Sequence, residues 1–380
     1  MLLVARKNLF SERTRLIISV GGVALSVFLI SLLLSLYRGW DEKVGGYVEQ
    51  ANVDIWVGSI GTRDFLSAAS IIPLQQSQSL NLQPEVKAWS PIIVRPMQGL
   101  KVKFLDDPKR DSEGTEMNIQ FIGFDPAKNI GGPIKITEGK AEPGPGEVII
   151  DKALEKRYGV HLNNVISAGG KRWTVVGISE GGDFVATQTV FVSLAEAQTA
   201  LQMDNLATFL GIQLADGVNP DTYAAKVETD IPQASAFTRA EFVASTRELV
   251  LGNVLPILFV VLILAFVVGL AVSGLTIYTA TIEKSREYGI IKAVGFKNIY
   301  LYRLVFEQAL VTGALGFVIG VALTLSFGSF AASRVPQFVT LVRWTDLLMV
   351  LGLTIVMSLA AGYVPVRRVA AIDPVEAFKA

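Results

Sequence analysis

The chain has 380 residues, 51% hydrophobic and 18% charged, and its 34 basic and 34 acidic side chains give a formal net charge of zero. A mean hydropathy of +0.46 is too high for an ordinary soluble domain, and the charged fraction is too large for a chain lying wholly inside a membrane. The neutral balance gives no indication of nucleic-acid binding. The absence of cysteine excludes disulfides, thiolate metal sites and cysteine nucleophiles.

The first element is a predicted cytoplasmic amphipathic segment, residues 1–15, followed by an apolar run at 16–36 that we predict to be the first membrane span. A cleaved signal peptide is the alternative, because basic residues precede the run. The run is longer than the roughly 7–15 apolar residues of a signal peptide, and no small-x-small cleavage site follows it. These features favour an uncleaved membrane helix.

Residues 37–253 are soluble in character and long enough to bury a core of their own. Alternating apolar patterns predict strands, helical patches lie between them, and together they indicate an α+β extracytoplasmic domain. The predicted strands are 53–57, 117–122, 172–178 and 189–192, and the predicted helices are 152–158, 194–202 and 221–228. Short helical stalks are expected at both ends, at 37–50 and 238–253, with Gly45-Gly46 and Pro256 as places for a bend or a helix end.

Three further apolar runs predict three more membrane spans, each long enough for a hydrocarbon core of about 30 Å. They are residues 254–278, 304–330 and 347–365, separated by a loop at 279–303 and a short outer loop at 331–346, with a cytoplasmic tail at 366–380. In the third span small residues recur at every fourth position and favour close helix packing: Gly316, Gly320, Thr324 and Gly328. Packing within one copy and contact between two copies both remain possible for this stripe.

The loop at 279–303 contains a charged segment, residues 279–295, which reads T-A-T-I-E-K-S-R-E-Y-G-I-I-K-A-V-G. Its spacing places apolar residues and charges on opposite faces, which predicts a short amphipathic helix with Gly295 just after its C-terminus. The apolar set is Ile282, Gly289, Ile290, Ala293 and Val294, and the charged set is Glu283, Lys284, Arg286, Glu287 and Lys292. A solvated connector is the alternative interpretation.

The pattern E-x-x-R-E-x-G-I-I-K-A-V-G closely resembles the loop that FtsX-like and macrolide-exporter (MacB)-type ABC permeases press against their ATP-binding subunit. Residues 146–159 and 171–177 are similar to the extracytoplasmic core of these permeases, and residues 6–16 and 365–378 are similar to their terminal segments. The sequence is also similar to DevC-type and lipoprotein-releasing permeases. The resemblance implies ATPase-coupling roles for Glu283, Arg286, Glu287, Gly289, Ile290, Lys292, Ala293 and Gly295.

The same resemblance implies a permease subunit that uses ATP-driven motion of a separate subunit to export or extract a hydrophobic or amphipathic substrate. The sequence has no G-x-x-x-x-G-K-[ST] phosphate loop, since Gly169-Gly-Lys171 lacks the first glycine and the hydroxyl residue. ATP and Mg are therefore expected on the partner ATPase, with no cofactor, metal or catalytic residue in this chain. The expected partners are the ATP-binding subunit, a second permease copy in a homodimer, a possible periplasmic adaptor (membrane fusion) protein and membrane lipid, with no nucleic acid.

Two other functions remain open: an FtsX-like mechanical regulator of an extracytoplasmic enzyme such as a cell-wall hydrolase, and a sensor partner of a signalling protein. Basic residues flank the spans unevenly, and by the positive-inside rule they predict cytoplasmic termini and a cytoplasmic 279–303 loop in a multi-pass protein of the bacterial inner membrane. The N-terminal segment has Arg6, Lys7, Arg13 and Arg15, the loop has Lys284, Arg286, Lys292, Lys297 and Arg303, the tail has Arg367, Arg368 and Lys379, and the outer loop has Arg334 and Arg343.

Overall fold

The computed structural model describes residues 13–67, 70–106, 114–231, 233–252, 254–335 and 338–370. The chain forms two compact units: a first unit, Met1–Gly39 with Val254–Ala380, and a second unit, Trp40–Asn253. The second unit has nearly the limits predicted for the soluble domain. Most of the predicted N-terminal segment, with Arg6 and Lys7, lies outside the described residues, as does most of the tail.

The second unit contains both helices and strands, and the first unit is built of helices. In chain order the helices are α1 Arg13–Gln50, α2 Lys152–Tyr158, α3 Leu194–Leu201, α4 Pro220–Asp230, α5 Arg239–Gly252, α6 Leu255–Glu283, α7 Ser285–Ala293, α8 Asn298–Arg334 and α9 Trp344–Ala370. The strands are β1 Ile55–Ser59, β2 Ile72–Pro73, β3 Val86–Phe104, β4 Thr115–Phe124, β5 Lys135–Gly139, β6 Glu147–Asp151, β7 Val165–Ala168, β8 Lys171–Glu180, β9 Gln188–Ser193, β10 Leu206–Ala207, β11 Phe209–Leu214 and β12 Ala234–Thr238.

Within the described part of the chain, four helices are long and apolar enough to cross a membrane: Thr14–Gln50, Leu255–Glu283, Asn298–Arg334 and Trp344–Arg367. Each helix extends beyond the apolar run predicted from sequence. Helix α6 therefore includes the first residues of the predicted 279–303 loop, and α8 includes its last residues. The outer loop is shortened in the same way, because a helix satisfies its own backbone hydrogen bonds and need not end where its side chains become polar.

The small-residue stripe of α8 lies against α1 of the same chain. A Cβ atom added to Gly316 would lie 2.5 Å from Cγ1 of Val23, and one added to Gly320 would lie 2.7 Å from Val27. The Thr324 hydroxyl donates to the carbonyl oxygens of Gly320 (2.9 Å) and, in α1, Phe28 (3.4 Å). Gly328 is close to the hydroxyl of Thr340. Small side chains here let backbones approach within one copy of the chain.

Ion pairs lie at both ends of a charge-free stretch of α1. Arg15 pairs with Glu283 at the end of α6 (2.5 Å), and Arg38 makes two hydrogen bonds of 3.1 Å to Asp346 near the start of α9. Residues 16–37 between them carry no charged side chain. At 1.5 Å per residue this stretch is about 33 Å long, close to the roughly 30 Å core of a bilayer.

The second unit is built on a mixed sheet with the strand order β12-β1-β11-β3-β4-β9-β6-β8-β5. The short strand β7 pairs with both β3 and β8, so that β3, β4, β9, β6, β8 and β7 form a closed six-stranded barrel. Strand β3 belongs to both parts, because it pairs with β11 through its first half and with β4 and β7 through its second. The β4–β9 and β6–β8 pairs are parallel.

An aromatic core fills the space beside the open part of this sheet. Trp56, Phe65, Phe209 and Phe242 are fully buried, and the ring centroids of Phe65 and Phe209 lie 5.7 Å apart. Tyr47, from the end of α1, joins the core, and its hydroxyl donates to the carbonyl oxygen of Gly131 at 2.5 Å. The last turns of α1 are thereby fixed to the sheet of the second unit.

Candidate functional site

Helix α7 is the short helix that the charged segment predicts, and it ends in the way the glycine suggests. The N–H of Gly295 donates to the carbonyl oxygen of Lys292 (3.0 Å), and the N–H of Phe296 donates to that of Ile291 (3.3 Å). These two bonds are those of a Schellman motif. Gly295 has φ +99°, and no atom would meet a Cβ there within 4 Å. The residue is glycine because of its backbone conformation, not because of crowding.

Tyr288 anchors α7 to the helices behind it. Its side chain is 2% exposed and packs in a cluster with Ile277 of α6, Leu301 and Val305 of α8, and Ala361 of α9. The ring lies at a small cavity of about 40 Å³ that is also lined by residues of α1, α6 and α8. One side chain of α7 therefore contacts a cluster drawn from three of the long helices.

The buried face of α7 differs from the apolar face inferred from sequence. Of the five residues in that apolar set, only Gly289 is buried, beside Tyr288, whereas Ile290 is 43% and Val294 73% exposed. The bulky ring of Tyr288 takes the buried position and turns the isoleucine and valine outward. Tyr288 was not among the predicted site residues, although its spacing of three from the half-buried Ile291 is a helical signal.

Four exposed apolar side chains lie in α7, in the turn after it and in the first turn of α8, and we name them the α7 patch: Ile290, Val294, Phe296 and Ile299. Arg286 and Glu287 are exposed on the same helix, as is Ala293, and Lys292 is half-buried. Glu283 differs from the other predicted coupling residues, because it ends α6 and pairs with Arg15. The structure thus brings seven of the eight predicted residues into α7 and the turn that follows it, and places Glu283 at the end of α6, two positions before α7 begins.

Two arginines of α5 connect the predicted stalks inside the second unit. Arg247 donates from Nε to the carbonyl oxygen of Asp41 (3.0 Å) and from Nη2 to Glu49 (3.1 Å), both in α1. Arg239 donates to the carbonyl oxygen of Val53 (2.8 Å) and pairs with Asp54 (2.8 Å). Arg247 therefore holds α5 to the end of α1, and Arg239 holds the start of α5 to the segment that follows α1.

Gly45 and Gly46 were expected to allow a bend or to mark a helix end, and the second of these alternatives is wrong. Helix α1 is continuous to Gln50. A Cβ at Gly45 would lie 2.8 Å from the guanidinium carbon of Arg247, so this glycine makes room for the arginine. Pro256 lies in the first turn of α6, where the absence of an N–H costs no hydrogen bond.

Metal chemistry finds no support in the described ranges, which contain no group of three or more His, Asp or Glu side chains placed to hold an ion. His161 lies on the surface of the second unit, with Nδ1 3.1 Å from Glu155 Oε1.

Comparison with known families accounts for nearly the whole chain. The family model of the MacB-like periplasmic core domain matches residues 16–230, and that of the FtsX-like permease C-terminal region matches residues 257–374. The second match contains α7, the turn after it and the α8 stripe.

Relatives agree with these matches. The uncharacterized ABC transporter permease Rv0072 of Mycobacterium tuberculosis is 24% identical over 383 residues, which cover 100% of this chain and 99% of the relative. The macrolide export ATP-binding/permease protein MacB 2 of Aeromonas hydrophila is 23% identical over 98% of this chain and 59% of its own length.

Solved structures were compared as well. The periplasmic region of MacB from Actinobacillus actinomycetemcomitans gives a TM-score of 0.37 at 10% identity, over 50% of this chain and 91% of that one. The extracellular domain of the transporter YknZ gives 0.35 at 15% identity, over 48% and 99%. On the strength of the family matches, the chain belongs to the MacB-like and FtsX-like ABC transporter permeases, multi-pass membrane proteins that have an extracytoplasmic domain and act with an ATP-binding partner.

Proposed function

We propose that this chain is the permease subunit that receives ATP-driven movement at α7 and passes it to the unit Trp40–Asn253, so that a hydrophobic or amphipathic substrate is exported or extracted. ATP and Mg belong to the separate ATPase subunit, and this chain is not an enzyme. The observation that carries the proposal is the combination of a buried anchor, Tyr288, with the α7 patch, whose four exposed residues lie in α7, the turn after it and the first turn of α8.

An exposed apolar cluster beside charges of both signs is typical of a protein interface. Ile290 and Val294 offer apolar contact, and Arg286 and Glu287 offer charge pairs that set the orientation of a partner. Because Tyr288 lies in a cluster from α6, α8 and α9, a force applied to α7 acts on several long helices at once.

The long helices can transmit motion, and they contain few features of an ion-coupled transport mechanism. Residues 16–37, 255–282, 308–333 and 347–366 contain no charged side chain, whereas proton- and ion-coupled carriers place ionisable groups near the middle of the membrane. Helix α1 is continuous from Arg13 to Gln50, and α5 is followed within three residues by α6. We propose that these two connections, joined by Arg239 and Arg247, carry movement into the extracytoplasmic domain between the first and second spans.

The proposed topology has both termini and α7 in the cytoplasm, in the bacterial inner membrane. It is supported by the basic residues around α7, which include Lys284, Lys297 and Arg303, against two in the 331–346 segment. A homodimer of this chain with ATPase subunits, with or without a periplasmic adaptor, completes the proposed assembly.

Substitution of one patch residue tests the docking role. Ile290→Asp puts a carboxylate into an apolar contact, where loss of hydration costs several kcal/mol, and about 1.4 kcal/mol is a tenfold change in affinity. We expect at least a tenfold loss of binding and ATPase stimulation with the ATP-binding subunit that co-purifies with the wild-type chain. Because Ile290 is 43% exposed, its replacement changes stability by no more than about 0.5 kcal/mol.

Ile60→Asp is the matched control, because Ile60 is 73% exposed and lies in the second unit. It should leave ATPase binding and stimulation unchanged. Full stimulation by the Ile290→Asp chain would refute the docking role of α7. Recovery of a cell-wall hydrolase or a signalling protein in place of an exporter's adaptor would favour a regulatory function for the same architecture.

A further inference from the structure

The barrel of the second unit encloses a cavity of about 320 Å³. Alternate residues along its strands face this space, as in β4, where Met117, Ile119 and Phe121 line it. The cavity opens between the β7–β8 turn and the last turn of α3, where the lining residues Gly169, Gly170, Thr199 and Ala200 are exposed. Residues deeper in the barrel, such as Val148 and Ile150, are buried.

The interior offers hydrocarbon contacts and almost no polar ones. Among the eighteen lining residues, those with polar side chains are Lys171, Thr199 and Trp173, and the first two belong to the rim. The indole N–H of Trp173 is already satisfied, since it donates to the carbonyl oxygen of Ala168 at 3.3 Å. Water needs two to four polar partners to occupy a cavity, so this interior favours an apolar occupant.

Its size suits one alkyl chain. A volume of 320 Å³ equals that of about ten water molecules at roughly 30 Å³ each, and a methylene group is of similar size. Two of the chain's six methionines, Met97 and Met117, line the space. Their unbranched, flexible side chains adapt to ligands of variable shape.

The rim of the cavity carries one positive and one negative side chain, and their charges cancel. Lys171 pairs with Glu196 of α3, and its Nζ lies 4.9 Å from the centroid of the Trp173 ring. A charged ligand head of either sign would meet a like charge from one member of this pair and an opposite charge from the other, so the pair gives it no net attraction. An uncharged polar head can hydrogen-bond to either member and to the exposed backbone of the Gly169-Gly170 turn.

We propose that the barrel binds a single-chain amphiphile, with its alkyl chain of about ten carbons inside the cavity and its uncharged polar head at the rim beside Lys171 and Glu196. The cavity becomes a substrate site of the extracytoplasmic domain if the amphiphile is the transported molecule, and on that point alone the inference rests on the proposed function. Binding itself requires neither the ATPase nor α7.

The test uses the full-length chain in phosphatidylcholine nanodiscs and a monoacylglycerol whose ten-carbon chain ends in a photoreactive diazirine. Labelled peptides are identified by mass spectrometry. We expect labels on the barrel strands β4 and β8, and also on α6 and α8, whose exposed apolar residues report contact with bulk lipid. An excess of unlabelled monodecanoylglycerol should lower barrel labelling at least tenfold and leave the labelling of the long helices unchanged.

Two alanines of α3 give a matched pair of variants, since both are exposed and only one lines the cavity. Ala200→Trp places an indole in the mouth and should reduce barrel labelling at least tenfold. Ala195→Trp should leave it unchanged. Equal barrel labelling in the two variants, or wild-type labels confined to the long helices, would overturn the proposal. Labelling is measured without ATPase and ATPase coupling without amphiphile, so either proposal can fail alone.

Discussion

The two units of this chain use apolar side chains in opposite ways. In the first unit, large apolar residues of α6 point outward, with Ile257, Phe259 and Ile263 each at least 60% exposed, and glycines bring the helices together. In the second unit, Trp56 and Phe65 are fully buried. Water drives the second pattern, whereas in lipid there is no hydrophobic force between helices, so close packing of small residues decides how they associate. Apolar content alone therefore does not say which way a side chain points.

The largest expected effect comes from replacing a buried phenylalanine of the second unit by alanine. We compare it with the same replacement at an exposed phenylalanine of the first unit. Phe65→Ala removes a ring that contacts Tyr47, Trp56, Phe184 and Phe209, and we expect a loss of about 3–5 kcal/mol in the unfolding free energy of the second unit. Phe259→Ala, at a residue 60% exposed in α6, should change stability little. The stability change of each variant is measured from its urea unfolding midpoint, which is determined by proteolysis of the membrane-embedded chain. Similar effects for the two variants would remove the contrast between the units.

Charge is the second point of difference, because the second unit buries the carboxyl of Asp151 among backbone N–H donors, whereas the buried carboxyl of Asp346 in the first unit pairs with Arg38. Asp151 caps α2, accepts hydrogen bonds from the N–H groups of Ala153 and Gly182 at 2.8 Å, and lies near Asp183 and Lys43. Burial raises the pKa of Asp151 from its ordinary 3.8 to about 6. The folded chain thus keeps a proton that the unfolded chain releases, so this stabilisation is present below pH 4 and is lost as pH rises through 6.

Asp151→Asn tests that pH dependence while keeping an oxygen for the helix cap. Relative to this variant, the wild-type chain should lose about 2 kcal/mol of unfolding free energy between pH 4 and 7, which is most of the effect expected at about 1.36 kcal/mol per pKa unit. Urea unfolding of both chains across this range measures the difference. Carboxyls with lowered pKa values, such as Glu147 and Glu180, act alike in both chains and cancel. A wild-type-minus-variant difference that is constant with pH would disprove the inferred ionisation.

The smallest expected effect separates a glycine in a helix contact from one facing open space. Gly320→Ala adds a methyl group 2.7 Å from Val27 and should cost about 1–3 kcal/mol through overpacking. Gly352→Ala, where no atom lies within 4 Å of the added Cβ, should be neutral or stabilising by up to about 1 kcal/mol, as in an ordinary helix. The stabilities of the two variants are compared by unfolding in SDS. Equal destabilisation would mean that the α1–α8 contact does not depend on small residues.

Local features of the site followed from the sequence because their causes are local. The spacing within residues 279–295 predicted a short helix, and a glycine at the end of such a pattern predicted the left-handed residue found at Gly295. Helices were also predicted at 152–158 and 194–202, where α2 and α3 lie, and the structure shows that the side chains of Asp151 and Ser193 cap their first turns. The burial of Tyr288 was missed, since it depends on side chains of α6, α8 and α9 that are distant in sequence.

The barrel could not be predicted in the same way. Its closure depends on the four-residue strand β7, which pairs with residues 103–104 some sixty positions earlier. The longest strand, β3, contains Pro91 and Pro96 and has no continuous alternating pattern. The apolar cavity exists only because six strands close around it, so the sequence of no single strand predicts it.

The sequence by itself determined the four apolar spans, the soluble segment between the first two and the charged helix after the second, because hydropathy and helical period are properties of neighbouring residues. The tertiary structure decided which residues of α7 are exposed, that the α8 stripe packs on α1, that Gly45 makes room for Arg247, and that the barrel encloses a cavity. These features arise from contacts between residues far apart in the chain, where the shape of a partner side chain, and not the local pattern, determines which position is buried.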